Sequence, residues 1–303
     1  MWARQNMWAA LRSCKWYLEF TKPKETLLNL LVAVTSFILA EFPSVDWTEL
    51  AAFLAIGYLA VGGSCALNCY YDLDIDALMG RTSRRAIPSG KIRPKGAFAM
   101  GTAMLSAGAV SSYLAFGPLT TAVILAGAII YVGVYTKWLK RSTRWSVVIG
   151  GISGSLAAVY GWTATGSIIT LVPLLIAALD FLWTPGHLWG LAIKNVDDYR
   201  RAHVPMLPVL EGAKRSSSYI LAFNAATIGL SFLFPALGMA GLVYTSVAAV
   251  AGCCLLKESV KLGASPTPTQ AFKVFFTSMP YLALLMAALL VDKVLYIGLS
   301  FAL

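Results

Sequence analysis

Charge is what this sequence has least of. Of its 303 residues only 13% are charged, and Asp and Glu together number 14. A soluble domain of this size carries about a quarter charged residues. Histidine occurs twice and cysteine five times, with no Cys-x-x-Cys pair. Neither a Cys/His metal cluster nor a disulfide framework follows from that usage, and the cysteines read as small buried hydrophobes. The first twenty residues are basic and Trp-rich but lack the uninterrupted apolar core and cleavage site of a signal peptide, although they suit a short transit peptide. Long polar connections are also missing on one side: Phe116-Gly117-Pro118 and Ala164-Thr165-Gly166 are tight turns that leave no room for an outer domain.

What the sequence has is apolar length. Hydrophobic residues make up 58% of it. Several runs approach the ~20 residues a helix needs to cross a hydrocarbon core. The expected fold class is all-α, a polytopic membrane protein in one domain over 1–303. Nine transmembrane helices are expected near 25–41, 50–68, 97–116, 119–136, 146–164, 167–185, 217–236, 239–256 and 274–291.

The net charge of +10 is compatible with nucleic acid in the abstract, but its distribution argues for membrane lipid instead. Arg4 to Lys24, Arg81 to Lys95, Lys137 to Arg144, Lys194 to Arg215 and Lys257 to Lys273 all fall on one side of the expected helices. Lys293 falls on the other, with Glu41, Asp46 and Glu49. Basic loops stay on the cytoplasmic side or its equivalent, so no nucleic-acid partner is expected.

Two acidic constellations interrupt the apolar pattern. Asn68, Asp72 and Asp76 stand at i, i+4 and i+8 where the second helix meets its loop. On a helix those positions drift only about 40° per step, so one amide and two carboxylates share a face. Such an oxygen set suits Mg2+, which takes its remaining ligands from water and phosphate. Asp74 points elsewhere, toward a cap or a basic neighbour. Arg81, Arg84, Arg85, Lys22 and Lys24 are candidate phosphate contacts. The alternative for each cation is plain positive-inside charge.

In the second constellation, the sixth helix carries Asp180 and continues through Trp183-Thr184-Pro185-Gly186-His187-Leu188-Trp189 to Lys194-Asn195-Val196-Asp197-Asp198-Tyr199. Pro185-Gly186 predicts a break or kink. If the helix persists, Asp180, Thr184 and His187 share a face. Asp197 and Asp198 form a second carboxylate pair on the same membrane side, able to serve a second metal on one diphosphate. His187 is a candidate general base or acceptor contact, against the alternative of a packed structural histidine. Trp189 and Tyr135 are candidates for lining a prenyl pocket, against interfacial or core packing.

At these residues the chain resembles the UbiA superfamily of intramembrane prenyltransferases, and within it the haem O synthases. Four blocks carry the resemblance: Leu18 to Lys24; Asn68 to Arg85 with Ile87-Pro88-Ser89-Gly90; Tyr135 to Thr143; and Phe181 to His187 with Asp197-Asp198-Tyr199 and Pro205-Met206-Leu207-Pro208. The family pattern is altered at Arg85-Ala86, at Pro185-Gly186-His187-Leu188-Trp189, at Ala202-His203-Val204, and at Asp180, where an apolar residue is usual.

The resemblance implies farnesyl diphosphate and haem b as substrates, with haem not a prosthetic group, and Mg2+ as cofactor. Metal would be held by Asn68, Asp72, Asp76 and Asp198, with His187 and Asp197 assisting. Lys22, Arg81, Arg85, Tyr135, Lys140, Trp189, Lys194 and Tyr199 would meet substrate. It implies a prokaryotic cell membrane, or second to that a mitochondrial inner membrane, with the active site facing the cytoplasm. Handover of product to a haem A synthase or terminal oxidase assembly is a further implication. Prenylation of an aromatic quinone precursor or lipid alcohol is the alternative within the superfamily. A transporter would instead place acids near the bilayer midplane; apart from Asp180, these acids crowd one edge.

Overall fold

The computed structural model describes residues 16–295; Arg4, Cys14 and most of the basic N-terminal stretch lie outside them. The described residues contain helices and no strand. Eight helical segments are long and apolar enough to cross a membrane: α1 Pro23–Glu41, α2 Trp47–Tyr71, α4 Pro94–Ser142, α5 Ser146–Ala164, α6 Leu171–Lys194, α8 Leu207–Ala236, α9 Leu242–Ala264 and α10 Pro268–Leu295. Two short helices, α3 Leu73–Leu78 and α7 Val196–Arg201, follow α2 and α6. With that apolar length and so little charge, the chain is an integral membrane protein.

The eight segments differ from the nine expected because of α4. Its 49 residues would measure roughly 74 Å if straight, more than twice a hydrocarbon core. It is not straight. The backbone leaves helical geometry at Gly117, with φ 82° and ψ −176°. Thr121 Oγ1 then donates to Ser112 Oγ at 3.3 Å. On one straight helix those residues would sit roughly 13 Å apart along the axis. The chain therefore doubles back at Gly117-Pro118, and the helices expected at 97–116 and 119–136 are its two arms. Glycine supplies the positive φ, and Pro118 begins the second arm without an amide to satisfy.

Small residues let the helices meet. A Cβ added at Gly63 of α2 would lie 2.6 Å from the Leu105 backbone nitrogen of α4, and one at Gly108 would lie 2.8 Å from that of Ala60. Backbones so close gain van der Waals contact where no hydrophobic effect separates lipid from side chain. An aromatic column, Phe37–Phe53 at 4.8 Å and Phe53–Tyr160 at 4.6 Å between centroids, joins α1, α2 and α5. On α10, buried Asp292 caps α9 by accepting from the amides of Gly241 at 2.6 Å and Tyr244 at 2.9 Å. That carboxylate satisfies helix-end donors that would otherwise be stranded.

The loop after α3 is packed, not loose. Ala86, Ile87 and Ile92 bury against Phe20 and Cys69, and Thr82 Oγ1 donates to the Asp76 carbonyl at 3.1 Å. This clamps the basic stretch under the ends of α1 and α2.

Of the break or kink expected at Pro185-Gly186, the break does not occur: α6 runs as one helix from Leu171 to Lys194 with Pro185 inside it. Its neighbours α5, α8 and α10 enclose it, and the packing holds its course through the missing hydrogen bond.

Candidate functional site

The helical register set by α2 survives its end. Asp72 N donates to the Asn68 carbonyl at 2.9 Å, and Asp76 N to the Asp72 carbonyl at 2.7 Å. Asn68, Asp72 and Asp76 consequently stay on one face, all three buried, and line a cavity of about 280 Å³. Lys22, Arg81, Arg85 and Lys140 line the same cavity, as do Tyr135 and Tyr199.

The polar groups are already connected. Asn68 Nδ2 donates to Asp72 Oδ2 and to Thr136 Oγ1, both at 2.9 Å. Lys22 donates to Asn68 Oδ1. Lys140 Nζ donates to Asp72 Oδ2 at 2.6 Å, and Arg85 to Asp76 Oδ2 at 2.8 Å. Burial works against the Arg85 charge, but the Asp76 carboxylate outweighs it and raises the guanidinium pKa. Arg81 brings a guanidinium to which no described residue offers a hydrogen bond or ion pair. Asp74 faces away, as expected: Arg141 donates to both its oxygens, at 2.6 and 2.8 Å, and holds its carboxyl below the usual range.

One atom in this network has no partner. Asp72 Oδ1 is buried without a hydrogen bond. An orphaned carboxylate oxygen beside an amide and a second carboxylate is a donor set that fits a hard cation. Among the described residues no three His, Cys, Asp or Glu side chains gather into a complete cage. Mg2+ in general binds through one or two carboxylates and takes its remaining ligands from phosphate oxygens and water.

The far wall comes from a widened segment of α4. Residues Ile129–Leu139 form π-helix, an arrangement frequent at functional sites. Thr136 Oγ1 donates to the Tyr131 carbonyl at 2.7 Å. Tyr131 and Tyr135 stack at 5.9 Å and 10°, and Tyr135 fills space left by Gly150, where an added Cβ would lie 2.5 Å from its ring.

The second constellation behaves differently. Asp198 accepts from the backbone amides of Gly80 and Arg81, both at 3.2 Å, and from Arg201. It thus clasps the loop that presents Arg81, and its oxygens are occupied by amides and a guanidinium. Asp197 projects outward, mostly exposed, onto Arg200 at 2.6 Å. Neither lines the cavity.

Because α6 stays helical, Thr184, Leu188 and Leu191 face the cavity and His187 turns about 60° away from that stripe. The imidazole lies between Trp183 (4.2 Å) and Phe275 (4.4 Å), with Nδ1 2.7 Å from Ser278 Oγ. This is the packed-histidine arrangement. Trp189 is fully buried among Trp145, Tyr219 and Phe223, not on a pocket wall. Lys194 sits over Phe272 at 5.6 Å.

A second, apolar cavity of about 220 Å³ adjoins the first, walled by residues such as Val61, Val123, Ile124 and Leu156. Glu25, Tyr131, Ser153 and Gly154 line both. Glu25 and Tyr131 escaped the sequence reading, and Thr136 entered it only as part of the Tyr135 to Thr143 block, with no role of its own. The signal for Glu25 was present, an acid in the first turn of an apolar helix; the others lack one, because no motif announces a π-helical register.

Comparison with known proteins agrees with this geometry. The model of the UbiA prenyltransferase family matches residues 29–291. The chain is 43% identical over 280 residues to protoheme IX farnesyltransferase 1 of Cenarchaeum symbiosum (strain A), covering 91% of this chain and 94% of that one. A digeranylgeranylglyceryl phosphate synthase has the same fold with a TM-score of 0.76 at 17% identity, over 93% of this chain and 99% of the other. A UbiA homologue from Archaeoglobus fulgidus, bound to GPP and Mg2+, superposes with a TM-score of 0.66 at 18% identity, over 90% and 99% of the two chains. The matched stretch runs from α1 to α10 and takes in nearly every element that walls the two cavities, and the chain belongs to the UbiA prenyltransferase family.

Proposed function

We propose that this chain transfers a farnesyl group from farnesyl diphosphate to a vinyl group of protohaem IX, with Mg2+, at the cytoplasmic edge of a prokaryotic cell membrane. The observation that carries the reading is the orphaned Asp72 Oδ1 in a cradle of cations that opens onto an apolar cavity. One cavity is polar and cationic and the other apolar, the character that the two ends of a prenyl diphosphate require. The acceptor comes from the relatives, which are named as protoheme IX farnesyltransferases.

Asn68, Asp72 and Asp76 would hold the metal, which supplies charge neutralisation to the departing diphosphate. Lys140 and Arg85, now on the carboxylates, and Arg81, held forward by Asp198, would turn to phosphate oxygens. The carbon–oxygen bond breaks and its electron pair leaves with the diphosphate. Each well-placed cation offsets about 3 kcal/mol of that developing charge. The prenyl carbon then bonds to the vinyl terminus, and water adds to the carbon left electron-poor. The apolar cavity keeps the chain away from bulk water while the cation exists. The product stays in the membrane, where a haem A synthase or terminal oxidase assembly would receive it.

The test is product mass after incubating purified protein with farnesyl diphosphate and Mg2+, once with haem b and once with 4-hydroxybenzoate. Prenylated haem supports the reading; prenylated 4-hydroxybenzoate alone would replace haem as acceptor. Full turnover by Asp72→Ala would eliminate the metal assignment.

A further inference from the structure

Asp180 has no role in the mechanism above, yet it is the acid set deepest in a membrane helix near the site. It is 7% exposed, lies in α6 one turn before cavity-lining Thr184, and no described residue gives its side chain a hydrogen bond or an ion pair. A carboxylate is costly in hydrocarbon and persists there when it serves a pathway or a reaction.

Its surroundings locate it. A Cβ added at Gly154 would stand 3.2 Å from Asp180 Oδ2 and 3.9 Å from Asn29 Nδ2. With no side chain at Gly154, the Asp180 carboxylate packs directly against that backbone, and Asn29 Nδ2 donates to the Gly154 carbonyl at 3.4 Å. Gly154 is also among the four residues common to the polar and apolar cavities. A prenyl diphosphate with its headgroup at Asp72 and its tail in the apolar cavity puts its reacting carbon at that junction. Asp180 lines neither cavity itself; its carboxylate stands directly behind Gly154, one residue back from the place where the new bond forms.

We propose that Asp180 is the proton acceptor for the water that completes the reaction, an inference that rests on the haem reading above. When the prenyl carbon bonds to the vinyl terminus, the vinyl pair is used and the adjoining carbon becomes cationic. A water lone pair forms the carbon–oxygen bond, one water O–H breaks, and its proton passes to the Asp180 carboxylate and from there to solvent. The product carries a hydroxyl. Without an acceptor at this point the same cation loses a proton from carbon instead, giving an alkene lighter by one water.

The experiment compares wild type, Asp180→Asn, Asp180→Glu and Gly154→Ala with farnesyl diphosphate, Mg2+ and haem b, reading prenyl diphosphate consumed and the ratio of hydroxylated to dehydrated product by mass. Asp180→Asn keeps size and polarity but accepts no proton. We expect it to consume substrate within about threefold of wild type while the hydroxylated share falls about 100-fold. Asp180→Glu restores most of that share. Gly154→Ala puts a methyl 3.2 Å from Asp180 Oδ2, crowds the carboxylate away from the junction, and shifts the ratio the same way without altering residue 180. An unchanged ratio in Asp180→Asn overturns the proposal, as does a loss of substrate consumption equal to the loss of hydroxylated product. Wild type that prenylates no haem would instead overturn the reading beneath it.

Discussion

Two stretches of this chain look alike and act differently. Each is a pair of carboxylates at the end of an apolar helix, followed by arginines: Asp72 and Asp76 with Arg81 and Arg85, and Asp197 and Asp198 with Arg200 and Arg201. In the first, both acids line the cavity and their cations come from elsewhere in the fold, Lys140 from α4 and Arg85 from the loop beyond α3. In the second, each acid binds an arginine three residues away, and one also holds backbone amides. Spacing decides the difference. Residues four apart keep one face, whereas adjacent residues on a helix diverge by about 100°, and Asp197 accordingly points out to Arg200 while Asp198 points to the Gly80 and Arg81 amides.

The comparison breaks most visibly at its strong end. Asp72→Asn removes the orphaned anionic oxygen and leaves Lys140 without its counter-charge. Prenyl transfer should fall about 1,000-fold, read as kcat/KM with saturating Mg2+. Asp197→Asn, at the exposed pair, should stay within about twofold of wild type. Equal losses in the two variants would end the distinction. Asp198→Ala lies between them. It frees the amides of Gly80 and Arg81 and lets the Arg81 guanidinium wander, so KM for the prenyl diphosphate should rise about tenfold while kcat changes less. A kcat loss matching that of Asp72→Asn would instead put Asp198 on the metal.

Much of this was legible beforehand because it follows from periodicity. Apolar run length located the membrane helices, and the four-residue spacing placed Asn68, Asp72 and Asp76 together. The tight turn at Phe116-Gly117-Pro118 is where α4 doubles back. What stayed hidden depends on neighbours distant in sequence. Whether His187 meets substrate turns on a 60° rotation of α6 that Phe275 and Ser278 fix from α10. Pro185 reads as a break or kink, yet the helix is not broken, packed as it is on three sides. Trp189 reads as either pocket lining or core, and Trp145, Tyr219 and Phe223, which close over it, decide for core. The π-helical turn that aims Tyr131 and Tyr135 has no residue signature at all.

His187 sharpens the comparison from just beside the cavity-facing stripe of α6. His187→Ala opens a void between Trp183 and Phe275 and removes one of the two partners of Ser278 Oγ, which still donates to the Phe275 carbonyl. The expected cost is stability, about 2 kcal/mol, seen as earlier thermal unfolding in detergent. The kcat of protein that remains folded should be within about threefold of wild type. A loss of kcat with unchanged melting would place the imidazole in the chemistry despite its orientation.

The smallest effect lies just outside the cavity, at Asp74. Arg141 donates to both its oxygens and holds its carboxyl pKa below the usual value. A depressed acid stabilises the fold above its unfolded pKa, and that stability is lost as pH falls through the folded pKa. The pair is largely exposed, with 65% of the Asp74 side chain accessible, so solvent screening holds its worth to about 0.2–1 kcal/mol. Wild type should therefore melt slightly above Asp74→Asn at neutral pH, and the gap should close as pH drops below the carboxylate range. A gap that widens on acidification would mean the carboxylate is destabilising where it stands. The same titration at high salt should shrink the neutral-pH gap, since exposed charges are screened over about 10 Å at moderate ionic strength. The buried Asp72–Lys140 pair, with side chains 2% and 12% accessible, should keep its contribution under the same salt.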